Sequence, residues 1–116
     1  MSYVDGFLLA VPTANKAKYQ AMADLAAGIF LECGATSVFE GWGDDVPEGK
    51  LNSMHTAVMR EADENVVFSW VCWPDKTTRD AGMQRFMADE RLTCMTDMPF
   101  DGKRMIFGGF ESILDC

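Results

Sequence analysis

Positive charge is scarce in this chain: ten lysines and arginines stand against eighteen aspartates and glutamates, a formal net charge of −8 over 116 residues. Neutralising phosphates takes clustered Lys and Arg, so neither nucleic acid nor an anionic membrane surface is expected as a partner. No apolar run approaches the roughly 18 residues that cross a bilayer. The start, MSYVDGF, has no basic segment leading into a long apolar one. No secretory signal is therefore expected, and the cytoplasm is the expected compartment. Cysteine is sparse too, at 33, 72, 94 and 116. No CxxC and no zinc-ligand spacing occurs, so no metal is expected and the thiols should be free, with that of Cys116 exposed and oxidisable. The glycine pairs in GWG and GGF make neither a phosphate loop nor a dinucleotide fingerprint, and no cofactor is expected. FSW lacks the glycine-flanked elbow of a serine nucleophile.

What is present is apolar. Hydrophobic residues make up 48% of the chain, enough to exclude disorder. At this length a single domain over residues 1–116 can bury a core without metal or disulfide staples. No Pro/Gly/Ser-rich linker divides it.

Along the chain, YVDGFLLAVP (3–12) reads as a strand stopped by Pro12. Thr13 is placed to cap a helix over about 14–33, in which Tyr19, Met22, Ala23, Ala26, Ile29, Phe30 and Cys33 recur at three- and four-residue steps. Gly34 is the expected stop. ATSVFEGWGDD (35–45) predicts a second strand and VPEGK (46–50) a turn. The stretch 51–64 fits a short helix or an irregular connection. NVVFSWVCWP (65–74), β-branched and aromatic, predicts a third strand. Asp75 is placed to cap a second helix over about 76–91, with Met83, Phe86 and Met87 inward and Gly82 weakening it by about 1 kcal/mol relative to alanine. An Asp-Gly turn then leads into a last strand within KRMIFGGFESIL (103–114).

The order βαββαβ is that of the ferredoxin-like α+β arrangement, an antiparallel sheet with both helices on one face. Both parities of the strands are apolar: Phe7, Leu9 and Val11 against Val4, Leu8 and Ala10 in the first, and Val67, Val71 and Trp73 against Val66, Phe68, Trp70 and Cys72 in the third. Two helices cover one face only. A bare second face exceeds what a soluble monomer usually exposes, so the expectation is a homodimer with two sheets face to face. The alternative is that residues 46–64 fold over that face within one chain.

YVDGF near the start, DDVPEGK, VVFSW followed by WP, RD at 79–80 and MPFDGKRMIFGGFE near the end together resemble the bacterial YbaA-like family over nearly the whole chain. That family is similar in fold to the dimeric α/β-barrel superfamily, which includes cofactor-independent monooxygenases, muconolactone isomerase-like enzymes and proteins without known activity. The resemblance thus implies a dimeric barrel and no one reaction.

Charged residues within apolar strands are the candidates for chemistry, because a buried carboxylate is paired, neutralised or working. Asp5, Glu40 and Glu111 are candidates for moving a proton. Asp5 with Arg104 equally reads as a structural ion pair near strand ends, and Glu111 beside GGF as part of a sheet-shaping bulge. His55 is the one histidine and the one near-neutral base available, although a solvated loop histidine explains it as well. Trp42, Trp70 and Trp73 are candidates for stacking on a flat ligand, or else pack a core and interface. Arg79 and Arg104 can meet an anion, while Asp80 is explained by the first turn of a helix. Cys94, Met95 and Met98 suit Cu(I) in kind, but nine methionines read more simply as adaptable core filling.

The leading expectation is a homodimer that binds a small organic molecule between helices and sheet or at the barrel mouth. The alternatives are a cofactor-free monooxygenase- or isomerase-type enzyme, and a scaffold for a protein partner.

Overall fold

The structure, a computed structural model, describes residues 2–95 and 97–115, so the expectation for Cys116 falls outside the described residues. Four strands, β1 (Tyr3–Pro12), β2 (Ser37–Trp42), β3 (Glu64–Trp73) and β4 (Ile106–Glu111), form one sheet in the order β2-β3-β1-β4. Every neighbouring pair is antiparallel. The long helices are α1 (Lys16–Glu32), between β1 and β2, and α3 (Lys76–Met87), between β3 and β4. Short helices α2 (Met54–Ala57) and α4 (Glu90–Thr93) lie in the connections. This is the split pair of β-α-β units expected from the order of elements.

The register sorts the side chains. Leu9, Val11 and Val67 pack with Tyr19 and Ala23 of α1, while Val71 and Trp73 pack with Ile29 and Phe30 of α1 and with Met83 and Phe86 of α3. All five strand residues are odd-numbered, so α1 and α3 share one face. Phe30 ties the halves together, stacking on Phe86 at 3.7 Å between centroids and meeting Trp73 edge-on.

Helix boundaries differ from the expected ones for local reasons. Thr13 does not cap α1. Its N–H donates to the Asp63 carbonyl at 2.9 Å, and a 3-10 turn (Thr13–Asn15) precedes the helix. Gly34 ends α1 as expected, with φ +113°. Asp75 caps α3, accepting from Thr78 N–H at 2.7 Å. The second helix does not run to Arg91: α3 stops at Met87, and Asp89 caps α4 by accepting from Arg91 N–H. Asp80 lies past the first turn of α3 and pairs with Arg79 and Lys76 instead.

The last strand is shorter than 103–114. Asp101 accepts from Lys103 N–H and opens a 3-10 turn (Gly102–Arg104), so Arg104 is not a strand residue. It binds Glu64 through two contacts of 2.7 Å and donates to the Met59 carbonyl at 2.9 Å.

The second face is half answered within the chain. Val58, fully buried, packs with Leu8, Ala10 and Val66, so the segment around α2 covers one end of the sheet. Ser53 and Thr56 hold α2 through a reciprocal capping box. Over the rest of that face Phe39, Phe68, Ile106 and Phe110 are exposed, and Trp70 is half-buried against Phe39.

Candidate functional site

A cavity of about 370 Å³ lies between the helix layer and the sheet. Phe7 and Leu9 of β1 and Ser69 and Val71 of β3 make its floor. Tyr19, Met22, Ala26 and Phe30 of α1 form one wall, and Phe86 and Met87 of α3 with Leu92 of α4 form another. The connection to β4 closes it with Met95, Met98, Phe100 and Met105. Five of the nine methionines therefore face one hollow, where thioethers adapt to irregular contents.

Three polar groups of the cavity, Tyr19, Glu40 and Ser69, gather on one side, and Thr93 of α4 is a fourth on another wall. Glu40 of β2 stands directly across from Ser69 in the strand register, and Ser69 across from Phe7. Cross-strand neighbours of this kind hold their Cβ atoms about 5 Å apart. The Tyr19 hydroxyl donates to Glu40 Oε1 at 2.7 Å, joining α1 to the edge strand. Burial, and then the neighbouring carboxylate, push the Tyr19 hydroxyl well above the ordinary tyrosine pKa. It is a fixed donor at any working pH. Burial raises Glu40 above the usual carboxylate pKa, and the bond from Tyr19 works the other way.

Glu40 is nonetheless exposed along the edge strand, where a second hollow of about 410 Å³ opens on its far side. Lys16, Gln20 and Asp24 of α1 and Trp42 of β2 line that outer groove, with the Lys16 ammonium 5.3 Å from the Trp42 ring centroid. Tyr19 and Glu40 border both hollows.

The other candidates lie elsewhere. Asp5, buried, does not pair with Arg104. It accepts from Arg79 Nη2 at 2.8 Å and from Trp73 Nε1 at 3.0 Å. The partner changes because Arg104 leaves the sheet at the 3-10 turn, whereas Arg79, one turn into α3, reaches over the Tyr3 ring to Asp5. Arg79 is thereby engaged by two carboxylates, and the Asp5 bond holds its guanidinium protonated. Glu111 is exposed at the far end of the sheet. The glycine before Phe110 admits the Tyr3 ring: a Cβ on Gly109 would lie 2.4 Å from the Tyr3 hydroxyl oxygen. The three tryptophans do not converge. Trp73 is fully buried, Trp70 lies on the second face, and Trp42 borders the outer groove. His55 is less solvated than its polar neighbours imply, with its side chain 14% exposed and Nδ1 3.2 Å from Glu48 Oε1, and it lines neither hollow.

The model of a family described as "Protein of unknown function (DUF1428)" matches residues 2–102. The chain belongs to that family. It is 52% identical over 116 residues to the "Uncharacterized protein YbaA" of Escherichia coli (strain K12), and equally so to that of Shigella flexneri, with 99% of each chain covered. A solved structure titled "Structure of CPII bound to ADP and bicarbonate, from Thiomonas intermedia K12" aligns over 95% of this chain and 89% of that one, with 9% identity and a TM-score of 0.36. At that level nothing about ligand or site carries over.

Of the cavity's polar groups, sequence reasoning found Glu40 and missed Ser69, Thr93 and the role of Tyr19. A signal for Ser69 was present. Along β3 the inward positions run Val67, Ser69, Val71, Trp73, and one hydroxyl among large apolar residues marks a place where something polar must be met.

Proposed function

We propose that the chain is a binding module holding a small, largely apolar organic molecule in the cavity between its helices and its sheet. The cavity itself carries this reading. Small-molecule sites span about 300–1,000 Å³, with mostly apolar walls and a few convergent polar groups. The hollow of about 370 Å³, with Tyr19, Glu40 and Ser69 on one side and mostly apolar groups, with Thr93 among them, around the rest, fits that description.

The test is thermal stability against a panel of aromatic and acyl compounds, on the native chain and on Ala26→Phe, which fills the cavity from α1. A ligand at about a hundred times its Kd adds about 2.7 kcal/mol, read as a rise of several degrees in Tm. The native chain should respond and Ala26→Phe should not. A flat response across the panel, or an equal one in both proteins, sinks the reading.

A cofactor-free proton-transfer enzyme is the second reading, and Glu40 favours it. Its pKa is raised and it borders an apolar cavity, whereas Asp5 is held in an ion pair and Glu111 does not line that cavity.

The exposed second face supports a homodimer, two sheets stacked as a dimeric α/β barrel. The cytoplasm fits the three free thiols of Cys33, Cys72 and Cys94.

A further inference from the structure

Ser69 is the one buried polar side chain on the cavity floor, 4% exposed, and its hydroxyl makes no hydrogen bond to another described residue. A hydroxyl shut away from bulk water needs a partner, so a ligand that fills the hollow Ser69 lines must offer it one. Glu40, directly across the strand pair from Ser69, already accepts from Tyr19 through Oε1, and its second oxygen remains to accept from a ligand. One donor and one acceptor thus sit side by side. Among the described residues no Lys, Arg or His lines this cavity, so an anionic head would find no counter-charge there and would be repelled by Glu40.

Resting on the reading of this cavity as a ligand site, we infer that its ligand is a neutral alcohol or phenol on a ring-sized apolar body, whose O–H donates to Glu40 and whose oxygen accepts from Ser69. A hydroxyl is the group that serves both neighbours at once, since it carries one donor and two acceptor lone pairs. An ether or hydrocarbon of the same shape leaves at least one of them unmet. An ammonium group donates to Glu40 but has no lone pair to accept from Ser69. Phe7, Phe30, Phe86 and Phe100 supply flat surfaces around the polar spot and suit an aromatic body.

The test compares three probes by calorimetric titration at pH 7.5: 1-naphthol, 1-methylnaphthalene and 1-naphthoate. Two net hydrogen bonds of about 0.5–1.5 kcal/mol each give 1-naphthol an advantage of about fivefold or more over 1-methylnaphthalene. 1-Naphthoate should bind worst. Ser69→Ala and Glu40→Gln should each cut the naphthol advantage severalfold and leave 1-methylnaphthalene affinity unchanged, which also shows that the cavity persists in the variants. Equal affinity for naphthol and methylnaphthalene overturns the inference while the apolar site stands. So does tighter binding of naphthoate, or a naphthol advantage that survives both substitutions. If neither neutral probe binds, both the ligand class and the site reading fall.

Discussion

Glu40 holds its proton more tightly in the folded chain than out of it, and this has a signature in pH. Its folded pKa is raised above the unfolded value of 4.5, by burial first. The stability it contributes is therefore fully present below the unfolded pKa and lost as pH rises through the folded one. Glutamine at this position keeps an oxygen for the Tyr19 hydroxyl and does not titrate. Thermal unfolding of Glu40→Gln and the native chain between pH 4 and 8 should show the variant gaining relative Tm upward from about pH 4.5, with a plateau once Glu40 is ionised. A difference that is flat across that range, or slopes the other way, refutes the raised pKa. Single residues were only partly legible in the sequence. That Asp5 is buried and paired followed from its apolar setting, but its partner did not. Whether Arg79 or Arg104 reaches it depends on where the last strand begins, and Asp101 decides that by capping a 3-10 turn.

At the scale of elements, pattern and punctuation gave the four strands and two long helices, since Pro12, Gly34 and Asp75 all act locally. The break between α3 and α4 was not legible, because the segment around Ala88 and Asp89 has no Gly or Pro, and the break rests on Asp89 turning its side chain to Arg91 N–H. Gly82 shows how packing reverses a local preference. Alanine in an exposed helix interior gains about 1 kcal/mol over glycine. At Gly82, however, a Cβ would lie 2.5 Å from the Cys33 carbonyl oxygen and 2.5 Å from the ring of the fully buried Trp73. Neither neighbour can yield, and overpacking of this kind costs about 1–3 kcal/mol. Gly82→Ala should therefore destabilise the chain in urea unfolding. Gly28→Ala, on α1 with nothing within 4 Å of the new Cβ, should stabilise it by up to about 1 kcal/mol. A stabilised Gly82→Ala would mean that α3 slides on the sheet, and the cavity wall made by Phe86 and Met87 with it.

At the scale of the whole molecule, the two-sided apolar sheet was plain in the sequence, whereas cover by residues 46–64 stood only as the alternative to a dimer, because 51–64 fits a short helix and an irregular connection nearly equally. The partial cover by Val58 realises part of it. What remains open still presents Phe39, Phe68, Ile106 and Phe110 to solvent. Covering about 800 Å² on each of two copies gives a gross gain on the order of 40 kcal/mol, most of it offset by the costs of association. The opposing force is charge. Two protomers of −8 about 30 Å apart repel by on the order of 9 kcal/mol in salt-free water. The Debye length of about 8 Å at physiological ionic strength removes nearly all of that. A dimer built on the apolar face should therefore tighten as salt rises, the reverse of an interface built on ion pairs. Sedimentation equilibrium at micromolar concentration should report twice the 12.9 kDa protomer mass at 0.15 M salt, with partial dissociation at 0.01 M. Phe68→Asp, which puts a charge in the middle of the face, should give a folded protomer at both. A native chain that runs as a 12.9 kDa species throughout would leave the second face bare by design and remove the barrel. An association that weakens with salt would place the contact on the charged surface instead of the sheet.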